Sequence, residues 1–192
     1  MELIFLWASI SDMGKIDNML SLEELYDSKA EELSPERIQS VLTSLQAQCV
    51  KREYCVSDIR KKALKAVQGQ SSLADELVEA LVRERFVDNL RYATAFSREK
   101  SSISAWGPSK IRNALLLKGI DRATISQALK EIDEDAASER MMKALSRKWH
   151  SLKEDPYGKF KLIRFGLSRG YEYDAVSSCV EELLRGDNET SN

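Results

Sequence analysis

The side chains that could carry chemistry are few and scattered. The single histidine, His150, follows Trp149 and shares no motif with a nucleophile or a carboxylate. Cys49, Cys55 and Cys179 are odd in number and lack the spacing that zinc ligation requires. Buried free thiols in a reducing cytoplasm are expected. The acid run Asp133-Glu134-Asp135 falls where a helix should begin, so its carboxylates read as caps for backbone N–H groups. Neither Gly-x-x-x-x-Gly-Lys-Ser/Thr nor Gly-x-Gly-x-x-Gly occurs, so both nucleotide-cradling fingerprints are absent. No catalytic residue, metal site or cofactor is expected, and the chain reads as a non-enzyme.

What remains is charge, and its distribution says more than the net value of −2. Residues 49–70 carry six basic and two acidic side chains; residues 91–130 and 141–171 each carry eight and two. The stretches between them, 71–90, 131–140 and 172–192, net −3, −4 and −5. Solvated helix faces that form their own ion pairs would explain any single Lys or Arg. Basic bands in phase with a structural repeat would instead line up on one face and suit an extended, charged, repetitive partner.

The elements that must carry these bands are helices, and one is fully punctuated. Trp106 to Ile120 opens with Pro108, suited to the first helical position, and closes with Gly119, suited to a left-handed cap. Between them Ile111, Ala114, Leu115 and Lys118 share a face, and Lys110, Arg112 and Asn113 turn away. The pair Ile111-Arg112 recurs as Ile59-Arg60 and Ile163-Arg164, 52 residues away on each side. Gly170 with Tyr171 answers Gly119 with Ile120, whereas the first copy lacks the glycine. A period near fifty marks stacked repeats. The spacing puts Ile59, Ile111 and Ile163 in the core and turns Arg60, Arg112 and Arg164 outward, with Lys110, Lys118, Lys161 and Arg169 close by.

The remaining punctuation fits. Ser34-Pro35-Glu36 starts a helix carrying Ile38, Val41, Leu42 and Leu45. Ser72 with Asp75 resembles a capping box, Asp88 and Asp121 are N-caps, and Asp155-Pro156 repeats the Pro-start signal. Ser101 to Ala105 reads as a loop, and Phe160, Ile163 and Leu167 as a core row. The last helix runs from Asp174 to Leu184, ahead of a frayed tail from Gly186. The expected fold is all-α: three tandem three-helix repeats in an elongated right-handed stack of helix-turn-helix-like units. Residues 34–87, 88–135 and 136–186 are the units, after an acidic extension (1–33) and before a tail (187–192). Met13 is a second candidate start. No apolar run is long enough to span a bilayer, and a cytoplasmic monomer is expected.

Four motifs in order then resemble one family. Arg52-Glu53-Tyr54-Cys55 with Asp58-Ile59-Arg60-Lys61-Lys62-Ala63-Leu64 is similar to the first signature of the bacterial RecX regulatory proteins. Phe86-Val87-Asp88 with Arg91-Tyr92-Ala93-x-x-Phe96-x-Arg98 is similar to the second, and Trp106-Gly107-Pro108-x-Lys110-Ile111-Arg112 with Lys118-Gly119-Ile120 to the third. Arg169-Gly170-Tyr171 resembles an element of the last unit. The chain departs from that pattern at Cys55, where Ser is common, at Asn89, where a second Asp is common, and at Glu172, where Ser is usual. The resemblance implies a protein that lies along the RecA recombinase–DNA filament and restrains its growth, ATP hydrolysis and strand exchange. It adds Arg52, Arg91 and Arg98 to the candidate partner-binding residues. The alternative partner is bare single- or double-stranded DNA, gripped by a helix of each unit.

Overall fold

In a computed structural model of the protein, residues 33–190 are described and form nine α-helices, with no strand among the described residues. They are α1 (Pro35–Lys51), α2 (Val56–Ala66), α3 (Ser71–Arg83), α4 (Asn89–Ser104), α5 (Pro108–Leu116), α6 (Arg122–Leu129), α7 (Glu134–Trp149), α8 (Gly158–Ser168) and α9 (Tyr173–Thr190). The acidic extension up to Glu32 lies outside the described residues.

Side-chain caps set four of the nine starts. Ser34 Oγ accepts from Arg37 N–H, Asp88 from Leu90 and Arg91, Asp121 from Thr124 and Asp133 from Ala136. Each satisfies donors that a first helical turn leaves orphaned. Pro35 and Pro108 stand in first turns, as their fixed φ favours. Three expectations fail. Ser72 is inside α3, so no capping box forms, and Asp75 pairs with Arg60 instead. Asp155 and Pro156 belong to a turn before α8, in which Asp155 Oδ1 accepts from Tyr157 N–H. Ser101 to Ser104 stay helical, and the chain breaks only at Ala105, whose φ is 48°.

Three helices gather round each of three buried clusters. Val41, Leu45, Ile59, Ala63, Leu77 and Leu81 centre the first. Ile111, Leu115, Ile120, Ile125 and Ala128 centre the second, joined by Cys55 from the chain ahead of α2. Met141, Leu145, Leu162, Val176 and Val180 centre the third. The apolar spacing of α2 and α5 thus does what it predicts, and Ile59 and Ile111 are fully buried.

The third copy is displaced by one residue. Leu162 is fully buried, whereas Ile163 is half-buried at the edge of its cluster. Phe160 is 71% exposed and Leu167 is exposed, so the expected core row does not form. Gly119 to Gly170 and Leu115 to Gly166 are both 51-residue steps, and 51 from Ile111 is Leu162. The Ile-Arg pair at 163–164 is therefore out of register with its namesakes. Gly166 lets α9 approach: a Cβ there would lie 2.5 Å from a Val176 methyl. The first copy has its glycine after all, as Gly69 with φ +93° follows α2. At the other end, α9 passes Gly186 and continues to Thr190 instead of fraying.

Candidate partner interface

The second helices of the trios meet end to end, and α4 also touches α7. The last turn of α8 presents carbonyls to the first turn of α5: Gly107 N–H donates to Arg169 O at 2.7 Å, and Ser109 N–H to Gly170 O at 3.2 Å. Ser109 Oγ donates to Glu172 Oε1, Lys110 Nζ to Ser168 O, and Arg169 Nη1 to Ser104 O. The end of α5 meets the start of α2 in the same sense. Ser57 Oγ donates to Lys118 O at 2.7 Å, and Lys118 Nζ pairs with Asp58 at 2.5 Å. Orphan carbonyls of one helix end thus take donors from the next helix start, and the dipoles run head to tail.

Both junctions are tight and charged. A Cβ on Gly107 would stand 2.4 Å from Gly170 O, and one on Gly170 2.4 Å from Lys110 N. Asn89 Oδ1 accepts from Val56 N–H, and Arg91 pairs with Glu53 at 2.6 Å while donating to the Arg85 and Phe86 carbonyls. Burial pushes the Asp58 carboxyl up, but the hydrogen bond and charge of Lys118, with help from Cys55 and Lys61, leave it below its ordinary value. Burial likewise lowers Lys118, yet Asp58 and Tyr92 hold it raised. Cys55, Asn89 and Glu172, the three departures from the family pattern, all lie at these junctions.

This arrangement sorts the ten basic residues expected to meet a partner. Arg60 forks onto Asp75 and reaches Ser71; Arg98 pairs with Glu131, and Lys161 with Asp155. Lys110 lies over the Trp106 ring and Lys118 over Tyr92 while both bind across a junction, and Arg169 lies over Phe165. Arg91 caps and bridges as described. Arg52 is exposed but rests on Tyr54, 4.4 Å from the ring centre. Only Arg112 and Arg164 of the ten have side chains that are exposed and make no hydrogen bond, ion pair or ring contact among the described residues. They are not equivalent positions: Arg112 corresponds to Ile163, and Arg164 to Asn113.

The exposed surface of the joined helices is completed by residues that charge reasoning passed over. Along α2 it carries Lys61 and Lys65; along α5 and the turn after it, Arg112, Leu116 and Leu117; along α8, Phe160, Arg164 and Leu167. Leu117 is 90% exposed. The exposed positions of the joined helices thus include both cations and large apolar side chains. Exposed apolar side chains that cluster on helices with free cations are a mark of an interaction surface. The 51-residue glycine step was the available signal for Phe160 and Leu167, because it moves both off the core face. Nothing in the described residues groups three or more metal-ligating side chains. No helix among them is long and apolar enough to cross a membrane.

Comparison with known proteins agrees with the motif reading. Residues 88–129 match the family model described as RecX, second three-helix domain. The regulatory protein RecX of Bacillus mycoides (strain KBAB4) is 29% identical over 127 residues, covering 65% of this chain and 45% of that protein. That of Bacillus cytotoxicus is 25% identical over 171 residues, 88% of this chain and 60% of its own length. The chain therefore spans about half the length of the curated relatives it matches. The crystal structure of RecX from Lactobacillus salivarius superposes with a TM-score of 0.67 at 19% identity, over 78% of this chain and 98% of that one. A second crystal structure, of regulatory protein RecX, gives 0.66 at 20% identity, over 81% and 79%. At that identity the structures speak for the fold: an all-α chain of three-helix domains. Residues 88–129 are thus similar to the second three-helix domain of the RecX regulatory proteins, and the wider chain resembles those proteins in sequence and in its all-α fold.

Proposed function

We propose that the chain is a regulatory, non-catalytic protein that binds the RecA recombinase or its DNA filament and restrains ATP hydrolysis, filament extension and strand exchange. The observation that carries this reading is that Lys61, Lys65, Arg112, Leu116, Leu117, Phe160, Arg164 and Leu167 are exposed on helices joined head to tail. A filament offers the same subunit surface at regular intervals, and a chain of similar units can engage several at once. Contacts that are weak singly then add through effective concentration. The leucines and Phe160 favour a protein surface over bare phosphates, which would call for cations alone. Among the expected residues, Arg112 and Arg164 are assigned to the partner, and the other eight chiefly to holding the fold.

The test is binding of folded variants to recombinase filament, with bare single strand and duplex as comparators, across a salt series. Arg112→Glu and Arg164→Glu should each weaken filament binding several-fold and flatten its salt dependence. Together they should cost far more than either, because simultaneous engagement is lost. Wild-type affinity in the double variant would overturn the assignment of these residues. Equal binding to bare DNA and to filament would favour the nucleic-acid reading instead. The purified protein alone should hydrolyse no ATP.

A further inference from the structure

The two junctions are built from different bonds. Between the trio α1–α3 and the trio α4–α6, no backbone–backbone hydrogen bond crosses among the described residues. The contacts there run through side chains: Asp58 with Lys118, Glu53 with Arg91, Ser57 Oγ donating to Lys118 O, and Asn89 Oδ1 accepting from Val56 N–H. Both ion pairs are open to solvent, their four side chains between 29% and 43% exposed. The chain linking these trios, residues 84–88, turns at Arg85, whose φ is 59° and whose carbonyl accepts from the Arg91 guanidinium.

Between α4–α6 and α7–α9 the pattern is reversed. Gly107 and Ser109 donate from their backbone N–H groups to the Arg169 and Gly170 carbonyls, and the facing glycines leave no room for a Cβ. No ion pair crosses this junction among the described residues. A backbone bond between close-packed main chains fixes one helix end directly against the next. A half-exposed ion pair is held by flexible side chains and weakens as dissolved ions screen it.

We infer that the α2–α5 junction is a hinge, latched by Asp58–Lys118 and Glu53–Arg91 and released by rising ionic strength, whereas the α5–α8 junction is a fixed joint that makes α4–α9 one body. Cys55, buried in the second cluster, and Asn89, beside the linking chain, form the pivot. Neither contact depends on a charge, so the trios stay connected when the ion pairs let go. Hinges absorb rotation in a few residues at element ends, as here. On the partner reading above, the exposed residues of α5 and α8 keep a constant spacing, and Lys61 and Lys65 on α2 shift to meet sites whose spacing varies. That consequence rests on the partner reading; the hinge itself involves no partner.

Residual dipolar couplings of the full chain, measured without any partner in a neutral stretched gel and fitted trio by trio, test the hinge. From about 0.05 M to about 1 M salt, where the screening length falls to roughly 3 Å, the alignment magnitude of α1–α3 should drop by about half relative to α4–α6. The trios α4–α6 and α7–α9 should share one alignment throughout. Asp58→Asn/Glu53→Gln should produce the same drop at low salt, with core chemical shifts confirming that each trio remains folded. One alignment shared by all three trios at every salt would overturn the hinge, and so would α7–α9 parting from α4–α6. The parent chain alone decides this, whatever the variant does. A drop with salt in the parent that the folded variant does not reproduce at low salt would overturn the latch.

Discussion

At the scale of single residues, Gly119 and Gly170 look interchangeable in sequence, and their surroundings separate them. Both take positive φ, 74° and 87°, but no atom lies within 4 Å of a Cβ on Gly119. Gly119→Ala should therefore cost only the backbone strain, about 1 kcal/mol. A Cβ on Gly170 meets the backbone of Lys110, so Gly170→Ala should cost clearly more in a denaturant melt. Equal losses would contradict the tight junction. The Asp58–Lys118 pair makes a prediction in pH. The Asp58 carboxyl is held below its ordinary value, so its contribution to stability is complete above about pH 4 and lost as pH falls through the lowered folded value. Asp58→Asn should lower stability at neutral pH and leave a shallower acid limb, measured by urea melts between pH 2 and pH 7.

At the scale of the element, α8 is the informative case. A one-residue change of register turns a helix by about 100°, which exchanges a core position for a half-exposed one. Leu162→Ala removes a fully buried side chain and should cost roughly 2–5 kcal/mol. Phe160→Ala should cost well under 1 kcal/mol, being an exposed position away from special backbone features. A larger loss at Phe160 than at Leu162 in equilibrium melts would restore the 52-residue register. Gly166→Ala would press on the Val176 methyl groups and should destabilise by about 1–3 kcal/mol through overpacking.

At the scale of the whole molecule, three small cores are held together by backbone and side-chain bonds at two junctions. In such an array stability is close to a sum of unit and interface terms. Gly107→Val should break the bonds from the α5 start to Arg169 and Gly170, since even one added carbon lies 2.4 Å from Gly170 O. Unfolding of the parent should be cooperative, and the variant should show the third cluster melting apart from the other two. Trp149, partly buried against that third cluster, is a local fluorescence reporter. A single unshifted transition in the variant would mean that the junction contributes nothing to coupling.

The helices, their caps at Ser34, Asp88, Asp121 and Asp133, and the buried Ile59 and Ile111 were legible in the sequence because each depends on residues within one or two turns. The family motifs were legible for the same reason, being short and ordered. Which cations stay free was not legible. Lys118 meets Asp58 across 60 residues and Lys110 meets Ser168 across 58, and such pairs exist only once the trios are packed. The register of the third copy stood between the two, since the Ile-Arg pair argued for 52 and the glycines for 51. Packing decided it for the glycines. Gly170 has to sit against Lys110, and Gly166 against Val176, where no larger side chain fits, whereas Ile and Leu can exchange places on a helix with little to mark the change.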